Sequence, residues 1–241
     1  MIISTENKEK AYELFDKIGI KKLAQFKKTA VIKVNIARPP EKNQPRTSPE
    51  LITLIVEYLS KLNVKCAIAE GANGYLSENL YKIGLGNLIR EHKVELVDLD
   101  FEEAEKVEIE DEEHYIPRCL NNYDIRIAIP SASKRPNMVF SNNIKLFVGA
   151  VPRRFYQIGE PVEWRPKVHI DLHKSIRNIY TCITKCCPFD FYINGGLAMD
   201  EEKGEFQIPE IIVGDDALEL DLYIIEKYFG IDKPEYITKL L

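Results

Sequence analysis

The sequence predicts an α/β fold: a single three-layer domain over residues 1–241, with a mostly parallel central sheet and helices on both faces. Three observations carry this. Short runs rich in β-branched residues recur at 31–36, 64–69, 94–100 and 124–130. Stretches with helical spacing of apolar residues separate several of them, the order expected of βαβ units. No internal repeat or low-complexity linker divides the 241 residues, a length that suits one large α/β domain.

Residues 5–28 carry Ala11, Leu14, Phe15, Ile18, Leu23 and Phe26 near the helical period. They predict a leading helix packed on the sheet, broken at Gly19. The strand at 31–36 follows. Successive strand side chains point to opposite faces, so Ile32, Val34 and Ile36 share one face and Val31, Lys33 and Asn35 the other. A buried lysine and asparagine need partners. Either they face a ligand crevice at the carboxyl end of a central strand, where open α/β sheets bind ligands, or this is an edge strand with one wet face.

The loop at 37–46 is proline-rich and charged. It is long for a strand-to-helix connection, and such loops often carry function. It leads into Thr47-Ser48-Pro49-Glu50, a helix start with two readings. Thr47 and Glu50 form a capping box, or Ser48 caps with Pro49 at the first helical position. The helix runs to about 62, and its free N–H groups point towards the first strand's end, a natural place for an anion. Thr47 is thus a capping residue and a candidate ligand contact.

The second strand, 64–69, ends in Glu70-Gly71-Ala72-Asn73-Gly74. An acid here corresponds to the ribose-binding carboxylate of dinucleotide enzymes, but no G-x-G-x-x-G follows the first strand, which counts against such a site. Glu70 remains a candidate because a parallel sheet would set it beside Lys33 and Asn35. Residues 77–92 are helical with interruptions at Gly84 and Gly86, and 94–100 is the third strand. A hairpin is expected within 106–120, turning at the acidic run 110–113, and 124–130 is a nearly continuous apolar, hence central, strand. Residues 144–151 form a short apolar piece in which Gly149 allows a tight turn, and 153–166 reads as a mobile loop. A long helix at 167–187 is stopped by Pro188. Then come a strand at 189–193, a turn or strand-end bend at 194–196, a small hairpin turn at 200–204, a strand at 211–213, a helix at 217–229 ended by Gly230, and a short helix opened by Pro234.

Composition is that of an ordinary soluble protein, with 45% hydrophobic and 29% charged residues. There is no long apolar run to span a membrane. The first residues lack the basic and apolar regions of a signal peptide, so the cytoplasm is the expected location. Five cysteines, an odd count outside any framework spacing, fit reduced thiols. A net charge of −5 argues against general nucleic-acid binding. The charge is uneven: residues 131–167 hold seven bases (Lys134, Arg135, Lys145, Arg153, Arg154, Arg165 and Lys167) against two acids, Glu160 and Glu163. Such an island suits a small anionic ligand or an acidic partner, or is simply a basic solvated surface.

His169 and His173 fall at the metal-ligand spacing i, i+4, with Cys182, Cys186 and Cys187 further along the same predicted helix. His173 and Cys187 would be roughly 21 Å apart at a rise of about 1.5 Å per residue. One ion cannot bridge that gap with bonds of about 2.0–2.3 Å. On the helical wheel Leu172, Ile176, Ile179 and Ile183 form the apolar face, with the cysteines on or flanking it. Packing therefore accounts for the three cysteines better than metal binding does. His173 lies at the face's boundary, where its tip can reach a cleft, whereas His169 reads as a structural histidine nearer the core.

Taken together, these residues resemble the bacterial and archaeal family of domains of unknown function numbered 362, over about residues 31–240. The family's Lys-Pro-Asn opening is matched by Lys33-Val34-Asn35, its threonine by Thr47 and its Glu-Gly by Glu70-Gly71. Pro130 and Lys134 match its central segment in part, with Arg135-Pro136 where a histidine is expected. Lys145 and Gly149 match a Lys-Asn…Gly element with Leu146 for asparagine. The helix histidine matches His173, an Asp-Gly turn becomes Asn194-Gly195, and the closing pattern fits Gly214, Asp216 and Asp221. The resemblance implies a divergent member without the ferredoxin-type iron–sulfur module that many members carry. It adds Gly71 and Asp216 to the ligand-binding candidates. The first half also resembles the N-terminal domain of nickel-pincer lactate racemases, an analogy of fold that assigns no activity.

Three functions follow as expectations. The first is a small-anion site, catalytic or not: Lys33, Lys134 and Lys145 neutralise the ligand, Asn35 and Thr47 donate hydrogen bonds, Glu70 serves as base or hydroxyl acceptor, and His173 as general acid or base. The second is a non-catalytic accessory protein that binds a redox or modification enzyme. The third is metal or iron–sulfur binding through Cys182, Cys186 and Cys187. No cofactor is named by the sequence.

Overall fold

The computed structural model describes residues 1–37, 46–135 and 140–241. Most of the proline-rich loop (38–45) and residues 136–139 lie outside the described residues. In chain order the strands are β1 (Ile2–Thr5), β2 (Thr29–Val34), β3 (Lys65–Glu70), β4 (Glu95–Asp98), β5 (Ala104–Ile109), β6 (Glu112–Pro117), β7 (Ile125–Ile129), β8 (Ser133–Lys134), β9 (Phe191–Asp200) and β10 (Gly204–Gly214). The α-helices are α1 (Ala11–Ile18), α2 (Ile20–Ala24), α3 (Pro49–Lys61), α4 (Leu76–Lys82), α5 (Gly86–Glu91), α6 (Asn143–Leu146), α7 (Leu172–Cys186), α8 (Ala217–Ile224) and α9 (Glu235–Thr238).

The main sheet runs β1-β10-β9-β7-β2-β3-β4, with β8 attached to β9. Strands β4, β3, β2, β7 and β9 are mutually parallel, and β10 and β1 add an antiparallel flank. The architecture is therefore α/β with a mostly parallel sheet. Helices cover both faces, and the alternation of β2 decides which residues meet them. Ala30, Ile32, Val34 and Ile36 pack with Phe15, Ile52, Ile55 and Leu80 on one face. Val31 lies on the other with Ile144, Phe147, Ile176, Ile179 and Leu220. Strand β2 is central, so the edge-strand reading is set aside.

The leading helix breaks at Gly19, where φ is +104°. Strand β1 precedes it and pairs with β10, an edge that four residues without alternation did not announce. The β5–β6 hairpin turns through Glu110 and Asp111, both left-handed at φ +50° and +61°, the twist a two-residue hairpin needs. Residues 194–196 continue β9 opposite a bulge in β10 between Ile208 and Ile212, rather than forming a turn. The segment 153–166, expected to be mobile, is pinned: Arg153 and Arg165 are buried and both bind Asp100. The helix expected from 167 begins at Leu172, because Pro166–His169 is a separate 3-10 turn. His169 and His173 therefore do not share a helix, and His169 is exposed, stacked on Trp164 at 4.9 Å, rather than near the core.

Candidate functional site

From β2 the chain steps outward through β3 to β4, then returns to β7 on the other side of β2. The carboxyl ends of β2 and β7 flank this reversal, where open α/β sheets form a crevice. Its walls are tied by three hydrogen bonds. Asn35 Nδ2 donates to Ser131 Oγ at 2.7 Å, the Asn35 N–H to Thr47 Oγ1 at 2.7 Å, and Thr47 Oγ1 to the Ile129 carbonyl at 2.5 Å. Asn35 and Thr47 thus stand at the crevice, but these polar groups hold it together. Thr47 is fully buried and does not cap α3. Ser48 occupies the N-cap with Pro49 in the first turn, and no side-chain capping bond forms.

Beside these ties lies a buried cluster of charge. Lys33 Nζ donates to Glu70 Oε1 at 2.9 Å and to the Val34 carbonyl at 2.8 Å. Glu70 also accepts the N–H groups of Ile36 (2.9 Å) and Gly71 (2.8 Å). Burial pushes the Lys33 ammonium down and the Glu70 carboxyl up, each opposed by the attraction of the other. Next to them Asp100 accepts from Arg165 Nη2 at 2.9 Å and from the Arg153 N–H at 2.9 Å, and pairs with the Arg153 guanidinium through Nε at 2.9 Å. Arg153 also reaches the Gly71 carbonyl at 2.8 Å. The cluster holds three cations, Lys33, Arg153 and Arg165, against three anions, Glu70, Asp100 and the neighbouring Asp98.

Gly71 and Gly149 let these groups close up. The Gly71 N–H donates to the Gly149 carbonyl at 3.1 Å. A Cβ on Gly149 would stand 2.8 Å from Glu70 Oε1 and 3.2 Å from Lys33 Nζ, and one on Gly71 would stand 2.5 Å from the Gly149 carbonyl. Gly149 is therefore required by close approach rather than by a turn. The Gly71 N–H is occupied, and the next three are held by the carboxylates of Asp98 and Asp100. The loop after β3 thus spends its N–H groups on the protein's own carboxylates.

Most bases of the basic island are engaged by groups elsewhere in the fold. Lys134 bridges to Glu202 at 2.8 Å, and Arg135 lies 3.7 Å from Glu201. Arg154 donates to the Asp100 and Glu102 carbonyls, and Lys167 to the Phe155 carbonyl. Lys145 differs. It lies on α6, and it has no hydrogen bond or ion pair among the described residues. Burial, then the charge of Arg135, push its ammonium down to about 8. Burial and the Lys145 charge push His169 down in turn.

The remaining candidates are placed elsewhere. Asp216 is exposed and caps α8, its carboxylate accepting the Glu219 N–H at 2.9 Å. His173 stacks on Tyr236 with ring centroids 5.8 Å apart, and its buried Nδ1 has no hydrogen-bond partner among the described residues. Among the described residues no hydrogen bond or ion pair joins it to Glu70. Cys182 and Cys187 are buried in the core, where burial pushes each thiol up to about 12, and Cys186 packs against the same core. Among the described residues no three His, Cys, Asp or Glu side chains are placed to hold a metal ion. No helix among them is long and apolar enough to cross a membrane.

Sequence reasoning missed Asp98, Asp100, Arg153 and Arg165 as parts of one cluster. The signal was present in Asp98-Leu99-Asp100 at the carboxyl end of a parallel strand, facing an arginine-rich segment. It also missed the buried network in which Asp221 accepts the N–H groups of Asn143 and Ile144, while Asn142 and Asn143 donate to Asn194.

These features define a class: a doubly wound α/β protein whose strand-order reversal carries a glycine-lined buried charge cluster. The chain belongs to the family described as Domain of unknown function (DUF362), whose model matches residues 30–226. No curated protein matches the chain.

Proposed function

We propose that the crevice at the ends of β2 and β7 binds a small anionic molecule, a phosphate or carboxylate compound, with Lys145 as its anchor. The carrying observation is Lys145 itself: a half-buried cation without an anionic partner among the described residues, with Arg135 and His169 as its electrostatic neighbours. Unpaired buried charge is costly, and an arriving anion removes that cost. Lys33 and Glu70 then form the floor, where Glu70 is the group available to exchange a proton with a bound hydroxyl. Lys134, Thr47 and Asp216 serve the fold. We place this activity in the cytoplasm, on an odd number of cysteines that are all free thiols.

Isothermal titration of the full chain with inorganic phosphate and with oxalate tests this. One of them should bind, with affinity falling about tenfold or more in Lys145→Ala and unchanged in Lys134→Ala. Binding should weaken as pH rises through about 8, where Lys145 loses its proton. Silence with both anions, or binding indifferent to Lys145, overturns the reading. Exposed Val162, Trp164 and Ile170 favour a second reading, a protein partner seated on this segment.

A further inference from the structure

A cavity lies between the β5–β6 hairpin, the 3-10 turns Arg153–Tyr156 and Pro166–His169, and the start of α7. It encloses about 530 Å³, within the ordinary size of a small-molecule site. Lys145 does not line it. The acids and the bases of the lining differ in how they are matched. Glu112 pairs with Lys174 at 2.7 Å. Glu113 pairs with Lys106 at 2.6 Å and accepts the Tyr115 hydroxyl at 2.9 Å. Asp171 caps α7, its carboxylate accepting the Lys174 N–H at 3.0 Å.

The two cations of the lining, Arg154 and Lys167, have no ion-pair partner among the described residues. Arg154 donates to the Asp100 and Glu102 carbonyls at 2.9 and 2.6 Å, and Lys167 to the Phe155 carbonyl at 3.1 Å. Such bonds hold the side chains in place without cancelling their charge. A guanidinium has five N–H donors and an ammonium three, so both keep donors to spare. Both also stand around Phe155. The Arg154 guanidinium lies over its ring, 4.7 Å from the centroid. The Phe155 ring stacks on Tyr115 at 3.9 Å with 5° between their planes. Tyr115 is held at both ends, by its hydroxyl on Glu113 and by its N–H, which donates to the Tyr156 hydroxyl at 3.1 Å. The cavity thus brings an ordered aromatic surface and two unneutralised positive charges to one place.

We propose that this cavity binds a flat aromatic anion, a ring bearing a carboxylate or phosphate group. Arg154 and Lys167 supply the charge that holds its acid group, and the Tyr115–Phe155 stack receives its ring. Aromatic rings gain offset-stacked or edge-to-face contacts on such a surface, and a guanidinium's planar fork suits both kinds of acid group. The acids of the lining do not oppose this, because each is already matched by a lysine or a helix N–H. The site is independent of Lys145.

Benzoate and phenyl phosphate are the probes, read by ligand-detected saturation-transfer NMR in the wild-type protein and in Lys145→Ala, which takes the anchor out of the crevice. At least one should bind saturably and equally well to both proteins. It should bind about fivefold or more tightly than cyclohexanecarboxylate, which keeps the charge without the flat ring, and than benzamide, which keeps the ring without the charge. Arg154 and Lys167 are exposed, so their replacement leaves the core untouched. Arg154→Gln and Lys167→Gln should each weaken binding about threefold, and the double replacement about tenfold, the scale of exposed ion pairs. No saturable binding of either aromatic anion to the wild-type protein overturns the proposal. So does binding lost in Lys145→Ala, which would put the anion in the crevice, binding that the double replacement leaves intact, or equal binding of the two control compounds. The crevice reading can fail while this one stands, because Lys145→Ala already removes its anchor.

Discussion

A methyl group on Gly149 would have to share space with Glu70 Oε1 and Lys33 Nζ, at 2.8 and 3.2 Å. Both atoms are buried and bonded to each other, so neither can swing aside. Gly149→Ala is therefore expected to cost about 1–3 kcal/mol, as overpacking of a filled core does. Urea denaturation checks this, and a cost below about 0.5 kcal/mol would mean that the pair relaxes freely. The sequence already placed Lys33 and Glu70 together, because a parallel sheet sets the ends of successive strands side by side. It did not show that Gly149 closes over them, since that contact joins residues far apart in the chain. Nor did it show that Thr47 and Asn35 bind each other: both offer the same donors to a ligand or to a neighbouring strand, and only the fold chooses.

Among the elements, the strands with regular alternation were legible and the short or irregular ones were not. Strand β2 declared its two faces through Ile32 and Val34 against Val31 and Lys33, because Lys33 interrupts a run that burial on both faces otherwise makes continuously apolar. The segment 153–166 was misread as mobile because its order comes from Asp100, across the molecule, rather than from local periodicity. Asp100→Asn replaces the acceptor of two arginines by a poorer one. Amide exchange across 153–165 should rise by an order of magnitude or more while β2 and β3 stay protected. Uniform exchange in both proteins would show that this segment is held by its own packing. The basic island repeats the lesson: a run of arginines reads as a binding surface until their carbonyl and carboxylate partners are located.

Across the whole molecule, one buried acid links stability to pH. Asp221 ties α8 to the start of α6, and burial raises its carboxyl to about 7 despite the N–H groups it accepts. The ordinary value is about 3.9, so the folded state holds this proton more tightly than the unfolded chain. The stability contributed is full below about pH 4 and is lost as pH rises through about 7. The melting temperature of the wild-type protein should therefore fall between pH 5 and 8 relative to Asp221→Asn, and parallel profiles would remove Asp221 as the cause. The fold class was legible because strand–helix alternation recurs through the first hundred residues, whereas the unpaired Lys145 emerged only after the other bases of residues 131–167 had found partners. Native mass spectrometry of protein purified gently from its own cells tests the anion site most directly. The expected result is an added mass of a small phosphate or carboxylate compound that is lost in Lys145→Ala and kept in Lys134→Ala. A bare chain mass in the wild-type protein, or an added mass that survives Lys145→Ala, would contradict it.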